Sequence, residues 1–323
     1  MNKYGVVFSG QGAQKPGMGK SLYETSPAAR EVFDRAGDEI KYDCFEADSD
    51  RLKQTEVTQP AVYTMDMAAY AALREALGEG EDSFIEPSGI AGFSLGEYAA
   101  FTAAGAIGSF EEGLVLVKVR SLLMQAAGAG AMAACIGERD AILDLVEKTR
   151  EEDVLEAVNY NSPQQTVVAG DTVAVERLAG LAAGDRGLGV KAIPLSVSGA
   201  FHSPLMRPAA EGLAEALKNF SFHDPTLPVY INVTGGLYEE YSEAAVGSAN
   251  SKMRALMVCH IQSPVHWQHT IERMAASGIK TIIETGPGKT LTGLTKKIAP
   301  ELVALNVEDS KSLNDTIEYI KKG

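Results

Sequence analysis

Gly89-Ile90-Ala91-Gly92-Phe93-Ser94-Leu95-Gly96-Glu97-Tyr98-Ala99-Ala100 has the form of a buried strand that runs through a tight turn into a helix. Its centre, Gly92-Phe93-Ser94-Leu95-Gly96, fits G-x-S-x-G, in which a strained strand-to-helix turn lifts a serine hydroxyl clear of its neighbours. Ser94 is then held at an unfavourable φ, and the residues two before and two after it must lack a Cβ if strand and helix are to pass closely. The helix that follows is alanine-rich (Ala99, Ala100, Ala103, Ala104). Its free N–H groups point at whatever Ser94 attacks, which makes a setting for a developing oxyanion.

A chain of 323 residues can bury a large core and exceeds the usual single domain, so one large domain with an insertion, or two domains, is expected. The content of 45% hydrophobic and 22% charged residues is that of an ordinary globular protein. A net charge of −14 argues against nucleic acid or an anionic membrane as the main partner, because both require a basic face. Cys44, Cys135 and Cys259 are scattered and odd in number, which supports neither a disulfide framework nor a zinc site and suits a reducing cytoplasm. Tyr4–Phe8 reads as a short strand rather than a signal peptide, and no apolar run approaches a membrane span. The expectation is a soluble, cytoplasmic protein.

Beyond Phe8, Ser9-Gly10-Gln11-Gly12-Ala13-Gln14 is a glycine turn with backbone N–H groups free for a ligand; it fails G-x-G-x-x-G because the last position is Lys15. Residues 27–40 and 60–77 read as helices, with Pro60 in a first turn. Ser109 caps a further helix and Glu112 completes a capping box. Arg120 lies in that helix's apolar run, where a charged guanidinium must snorkel outward or find a partner.

After Gly128-Ala129-Gly130 the rhythm changes. Strands at Ala131–Ile136, Leu155–Asn161, Gln165–Ala169 and Val190–Pro194, with helices at Asp140–Thr149 and Thr172–Leu181, give β-α-β-β-α-β, the split-βαβ or ferredoxin-like motif. From Ser203 a helix opens with Pro204 in first position. Strands at Val229–Val233, Thr281–Glu284 and Val303–Leu305 then alternate with helices at 244–258, 265–277, 290–298 and 311–321, as in a parallel α/β sheet. The fold class is therefore α/β: a hydrolase-like parallel-sheet core domain (1–127 and 199–323) with an inserted ferredoxin-like (βαββαβ) subdomain (128–198). Gly286-Pro287-Gly288-Lys289-Thr290 resembles half a phosphate loop, but the first glycine of that motif would fall on Ile283, so no nucleoside-triphosphate site follows.

A serine hydroxyl needs a base within hydrogen-bond reach. Of five histidines, His223 lies in a polar turn, and His266 and His269 flank Trp267 on an amphipathic helix. His202 follows Val197-Ser198-Gly199-Ala200-Phe201 at a loop-to-helix junction, where a base can be presented and kept neutral. Spacing alone does not choose between His202 and His260.

Essentially end to end, the chain resembles the malonyl-CoA:acyl-carrier-protein transacylases of fatty-acid synthesis. The motifs that carry the likeness are Gly10-Gln11-Gly12-Ala13-Gln14, Gly92-Phe93-Ser94-Leu95-Gly96-Glu97-Tyr98, Val119-Arg120-Ser121-Leu122-Leu123-Met124-Gln125, Asn159-Tyr160-Asn161-Ser162-Pro163, Gly199-Ala200-Phe201-His202-Ser203 and Glu284-Thr285-Gly286-Pro287-Gly288-Lys289. The resemblance implies that Ser94 is the nucleophile and His202 its base, that the N–H groups of Gln11 and Leu95 form the oxyanion hole, and that Arg120 grips the malonyl carboxylate. Phe201 would fill the space of an α-methyl and so favour malonyl over methylmalonyl. It also implies a malonyl-serine intermediate and no cofactor. The substrates would be malonyl-CoA, a coenzyme A thioester, and phosphopantetheinylated acyl carrier protein, acted on by a monomer.

Three positions depart from the family pattern: Phe93 stands where His is common, Ser9 where Pro is common, and His260 where Gln is common. In the family no carboxylate orients the base; a backbone carbonyl near position 260 does. An acidic carrier protein meeting a −14 chain calls for a local basic patch, for which Lys191, Lys289, Lys296 and Lys297 are candidates. The alternatives are an acyltransferase serving a polyketide synthase, a serine hydrolase of the α/β type, and a non-catalytic carrier-protein docking module. The hydrolase would need an acid between Ser and His and usually an HGGG-type loop, which the sequence lacks.

Overall fold

A computed structural model describes residues 3–78, 86–128, 130–197, 199–242 and 248–322. Its strands are β1 (Tyr4–Phe8), β2 (Gly89–Gly92), β3 (Ala131–Ile136), β4 (Leu155–Ser162), β5 (Gln165–Gly170), β6 (Lys191–Pro194), β7 (Val229–Tyr230), β8 (Thr281–Thr285) and β9 (Val303–Val307). They form two sheets. Five strands in the order β7-β2-β1-β8-β9 pair in parallel throughout. Four strands in the order β4-β5-β3-β6 pair antiparallel. The chain is thus a mixed α/β fold with a parallel-sheet core and a separate antiparallel-sheet subdomain.

In the parallel sheet β1 is central, and its chain neighbours in space go opposite ways: β2 to one side, β8 to the other. The crevice beyond the carboxyl ends of strands at such a switch point is where open α/β sheets receive ligands. Phe8 is in register with both Gly92 and Thr285, so the loops after β1, β2 and β8 leave the sheet at one level. Strands β1, β2 and β8 are buried along their whole length, as a sheet covered on both faces requires.

The antiparallel sheet shows the alternation of a strand with two different faces. Ala133 and Cys135 of β3 pack with Ile142, Leu145, Val175 and Leu178 of the subdomain's two helices, Arg139–Arg150 and Thr172–Gly184. Met132 and Ala134 turn to the other side and join the main core. A parallel bridge joins the two halves: Tyr160 N–H donates to the Val265 carbonyl at 2.9 Å and Val265 N–H to the Val158 carbonyl at 2.8 Å.

Several boundaries differ from the sequence expectation for identifiable reasons. The helix expected from Pro60 starts at Thr55, with Pro60 inside it; nearly every residue from Thr55 to Met65 is buried, and that packing outweighs the hydrogen bond proline cannot make. Gly37, at φ 92°, splits the helix expected over 27–40 into Pro27–Ala36 and Asp38–Phe45. The strand expected over Val229–Val233 stops at Tyr230, because the chain folds back on itself: Ile231 N–H donates to the Gly236 carbonyl and Gly235 N–H to the Ile231 carbonyl, each at 2.8 Å. A 3-10 turn, Pro204–Met206, precedes the expected helix, which runs Arg207–Leu217. The helix expected over 244–258 is Ala249–His260, capped by Ser248; positions 244–247, like Ser198 and Ala129, lie outside the described residues.

At the N-terminus of the helix Thr290–Ile298, Glu284 of β8 accepts the N–H groups of Leu291 (3.0 Å) and Thr292 (2.7 Å). An internal carboxylate therefore takes the place that a phosphate would occupy in a phosphate loop. No helix among the described residues is long and apolar enough to cross a membrane.

The turn after β2 yields a stability test. A Cβ at Gly92 would lie 1.9 Å from the Gly96 carbonyl carbon, and one at Gly96 2.3 Å from the Phe8 carbonyl oxygen, whereas one at Gly180, inside a helix, meets nothing within 4 Å. Urea unfolding should show Gly92→Ala and Gly96→Ala destabilised by about 3 kcal/mol or more. The same measurement should show Gly180→Ala stabilised by roughly 0.5–1 kcal/mol.

Candidate active site

Strand β2 ends at Gly92 and the next helix begins at Gly96, leaving three residues for a reversal of direction. Ser94 takes the sharpest part at φ 51°, a left-handed conformation that costs a serine roughly 1–3 kcal/mol. Its N–H does not face the cleft but donates to Asn232 Oδ1 at 2.7 Å. The N–H groups of Leu95, one residue on, and of Gln11, in the loop after β1, have no acceptor among the described residues.

His202 stands at φ 64° in the turn before Pro204, where Ser203 Oγ ties the turn by donating to the Ala200 carbonyl at 2.6 Å. Its Nε2 lies 2.7 Å from Ser94 Oγ. Its Nδ1 lies 3.0 Å from the His260 carbonyl oxygen and 3.1 Å from that of Ser263. Carbonyls only accept, so Nδ1 carries the proton and the Nε2 lone pair faces the serine hydroxyl. Burial, and next the Arg120 guanidinium, push His202 down to about 4, so the ring is neutral at pH 7. The geometry is that of a base aimed at its nucleophile, oriented by two carbonyls rather than by a carboxylate.

The histidine ambiguity in the residue pattern is resolved by distance. His260, the last residue of its helix, supplies its carbonyl to His202, while its ring sits 5.3 Å from the His202 ring, centroid to centroid, and 3.7 Å (Nδ1) from Glu97 Oε1. Burial pushes Glu97 up to about 8, and burial together with the neighbouring His202 and Arg120 pushes His260 well below its usual value. Both shifts favour the neutral forms, and at 3.7 Å the pair is a packed contact rather than a close ion pair.

Arg120 comes from the helix Phe110–Ala126, whose N-cap Ser109 accepts the Glu112 N–H at 3.2 Å. It is only 1% exposed and does not snorkel. Its Nη1 donates to Gln59 Oε1 at 2.6 Å, its Nη2 to Ser94 Oγ at 3.1 Å, and the guanidinium lies over the Tyr98 ring at 5.3 Å. Among the described residues no carboxylate lies within ion-pair distance of it. A buried cation served only by neutral groups is matched to an anionic ligand in a planar, bidentate pair.

The structure thus brings Ser94, His202, Arg120, Leu95 and Gln11 to one place, with His260 behind the base. The Gln11 side chain points back into the fold, donating to Thr55 Oγ1 at 3.1 Å and accepting from Gln59 Nε2 at 3.3 Å. Phe201 is buried in the main core with its ring against Gly199. A cavity of about 220 Å³ opens beside Gln11 and Phe93 between the two sheets, with Asn159, Asn161, Val167 and Leu195 on its subdomain wall. Of the candidate basic positions, Lys289 is 3.5 Å from Glu308, which also pairs with Lys15; Lys191, Lys296 and Lys297 are exposed.

Gln59, Asn232 and Ser263 also hold the site together, though no motif in the residue pattern marks them. Asn232 interrupts an apolar run with an amide, after Val229-Tyr230-Ile231, and a buried amide demands partners; Gln59, in Thr55-Glu56-Val57-Thr58-Gln59-Pro60, has no such signal. Ser263 acts through its carbonyl, for which the side-chain pattern holds no signal.

The acyl transferase domain family matches residues 6–313. The chain is 38% identical over 329 residues to the malonyl CoA-acyl carrier protein transacylase of Haemophilus influenzae, spanning 99% of this chain and 100% of that one. Among solved structures, that of the malonyl CoA-acyl carrier protein transacylase from Clostridium perfringens is similar with a TM-score of 0.88 at 37% identity, over 99% of this chain and 98% of the other. A malonyl-transacylase solved in complex with a type II PKS acyl-carrier protein is similar with a TM-score of 0.86 at 34% identity, over 98% of this chain and 99% of the other.

The buried neutral ring of His202 has a measurable signature. An unfolded histidine takes up its proton near 6.5 and the folded one near 4, so this group's support of the fold is complete above 6.5 and is lost as pH falls toward 4. An NMR titration should place the His202 midpoint near 4, and His202→Gln should lose less stability across that window; a midpoint near 6.5 would contradict the site as described.

Proposed function

The chain belongs to the acyl transferase domain family, and on that premise we propose that it transfers the malonyl group of malonyl-CoA to the phosphopantetheine thiol of acyl carrier protein, supplying fatty-acid elongation. The observation that carries this reading is Arg120, a buried cation with no carboxylate partner among the described residues, 3.1 Å from the Ser94 hydroxyl. An acyl group that places a carboxylate on Arg120 brings its thioester carbon to Ser94.

In the first half-reaction the Ser94 proton passes to His202 Nε2 as Oγ attacks the thioester carbonyl. The oxyanion is held by the N–H groups of Gln11 and Leu95, which face no other acceptor among the described residues. The C–S bond breaks, coenzyme A takes the proton from His202, and malonyl-serine remains. In the second half-reaction His202 takes the proton of the phosphopantetheine thiol, the sulfur attacks the ester carbon, the C–O bond breaks, and the proton returns to Ser94 Oγ.

Two further features support the reading. The charge on Arg120 is one reason His202 is a weak base; a substrate carboxylate neutralises that charge and strengthens the base just when the thioester is in place. Asn159 and Asn161 line the cavity, and their carboxamides are groups of the kind that pair with the amides of a pantetheine arm. Similarity to a malonyl-transacylase solved with a type II PKS acyl-carrier protein supports a polyketide client as the second reading, with the same chemistry.

Intact-protein mass spectrometry after mixing with malonyl-CoA should show one malonyl added to the wild-type chain and none to Ser94→Ala; a malonylated Ser94→Ala would refute the mechanism. Arg120→Ala should lose about a hundredfold or more in malonyl transfer, since removing one side of a buried charge pair costs roughly 2–5 kcal/mol. Acetyl transfer should be retained, and equal loss of both activities in a steady-state comparison would refute the carboxylate clamp.

A further inference from the structure

The carboxamide of Asn232 is wholly engaged with the turn that carries the nucleophile. Its Oδ1 accepts the Ser94 N–H at 2.7 Å and its Nδ2 donates to the Gly92 carbonyl at 2.6 Å, so one planar group spans Phe93 and ties the end of β2 to the serine. Asn232 is 0% exposed. Its own N–H donates to Glu97 Oε2 at 2.6 Å, on the helix that follows the turn. Glu97 Oε1 meets the His260 ring at 3.7 Å, and the His260 carbonyl takes the Nδ1–H of His202. These contacts close a ring from Ser94 through Asn232, Glu97, His260 and His202 back to the Ser94 hydroxyl.

Few side chains fit the place of Asn232. It must accept from the Ser94 N–H and donate to the Gly92 carbonyl, which alanine cannot do at all and aspartate can do only as acceptor. Ser94 needs such a holder because its φ of 51° is unfavourable for any residue with a Cβ, and a turn left free relaxes toward better angles. The holder comes from 138 residues away, just past β7, the strand that pairs with β2.

We propose that Asn232 is a positioning residue for acyl transfer: it clamps the two sides of the Ser94 turn so that Oγ stays in line with His202, and Glu97 fixes Asn232 in turn. The inference rests on the function proposed above. A displacement of the nucleophile by about an ångström costs on the order of a hundredfold in rate.

The test is single-turnover malonylation by malonyl-CoA, quenched at intervals and read by intact mass, with each rate normalised to the fraction of protein finally acylated. Asn232→Ala should react about a hundredfold slower at saturating malonyl-CoA while its half-saturating concentration stays within about twofold of wild type. Glu97→Ala should slow the reaction roughly tenfold, and Glu97→Gln, whose amide oxygen can still accept the Asn232 N–H, should recover most of that loss. A rate for Asn232→Ala within threefold of wild type, a loss confined to half-saturation, or a Glu97→Gln variant as slow as Glu97→Ala would each overturn the clamp. If Asn232→Ala does not fold, the two Glu97 variants decide alone. Wild-type protein that gains no mass would instead refute the proposed function, and this inference with it.

Discussion

The helix after β2 passes so close to β2 on one side and to the end of β1 on the other that a methyl group fits at neither end of the turn: one added at Gly92 would lie 1.9 Å from Gly96, and one added at Gly96 would lie 2.3 Å from Phe8. Once that approach is fixed, Phe93, Ser94 and Leu95 must loop outward, Ser94 at φ 51°. The Ser94 hydroxyl then stands above the sheet at the level where the β1 loop, carrying Gln11, also emerges. The helix that starts at Gly96 does not offer the free N–H groups expected of it: those of Gly96, Glu97 and Tyr98 donate to the Phe93, Ser94 and Leu95 carbonyls at 3.0, 3.1 and 3.0 Å, and the Leu95 N–H is the one left without an acceptor among the described residues. The raised position of the Ser94 hydroxyl is thus a consequence of one steric constraint.

Around that turn the structure gathers four buried ionisable side chains, Glu97, Arg120, His202 and His260. Burial favours the neutral form of each, and three of the four yield: Glu97 is pushed up, and both histidines are pushed down. Arg120 keeps its proton because a guanidinium does so under any condition a folded protein meets. Of these four side chains Arg120 is the one that holds its charge, and that charge is positive. The hydrogen bonds that Arg120 donates to Gln59 and Ser94 moderate that charge without neutralising it, which is the basis for proposing an acyl carboxylate as the matching ion.

The second sheet contributes a wall. One face of β3 packs on its own helices and the other on the main core, and the bridge between Asn159 and Val265 locks the two halves together. Val265 lies two residues past Ser263, whose carbonyl orients His202, so the segment that holds the base is the segment that holds the subdomain. Domain packing and base geometry are coupled through a few consecutive residues.

Most of the secondary structure was legible from periodicity and caps: Ala131–Ile136 and Thr290–Ile298 begin and end where the pattern places them, and Ser109 caps its helix. The errors fell where long-range packing overrides local preference, as at Pro60, or where a turn consumes a strand, as after Tyr230. The pattern Gly92-Phe93-Ser94-Leu95-Gly96 determines by itself that a serine is raised on a strained turn, because the requirement for missing Cβ atoms is local. It does not determine which histidine answers that serine, nor that Arg120 is buried, nor that Asn232 holds the turn. Those facts depend on contacts between groups 26 to 138 positions apart, which only the folded backbone brings within 2.7 to 3.1 Å.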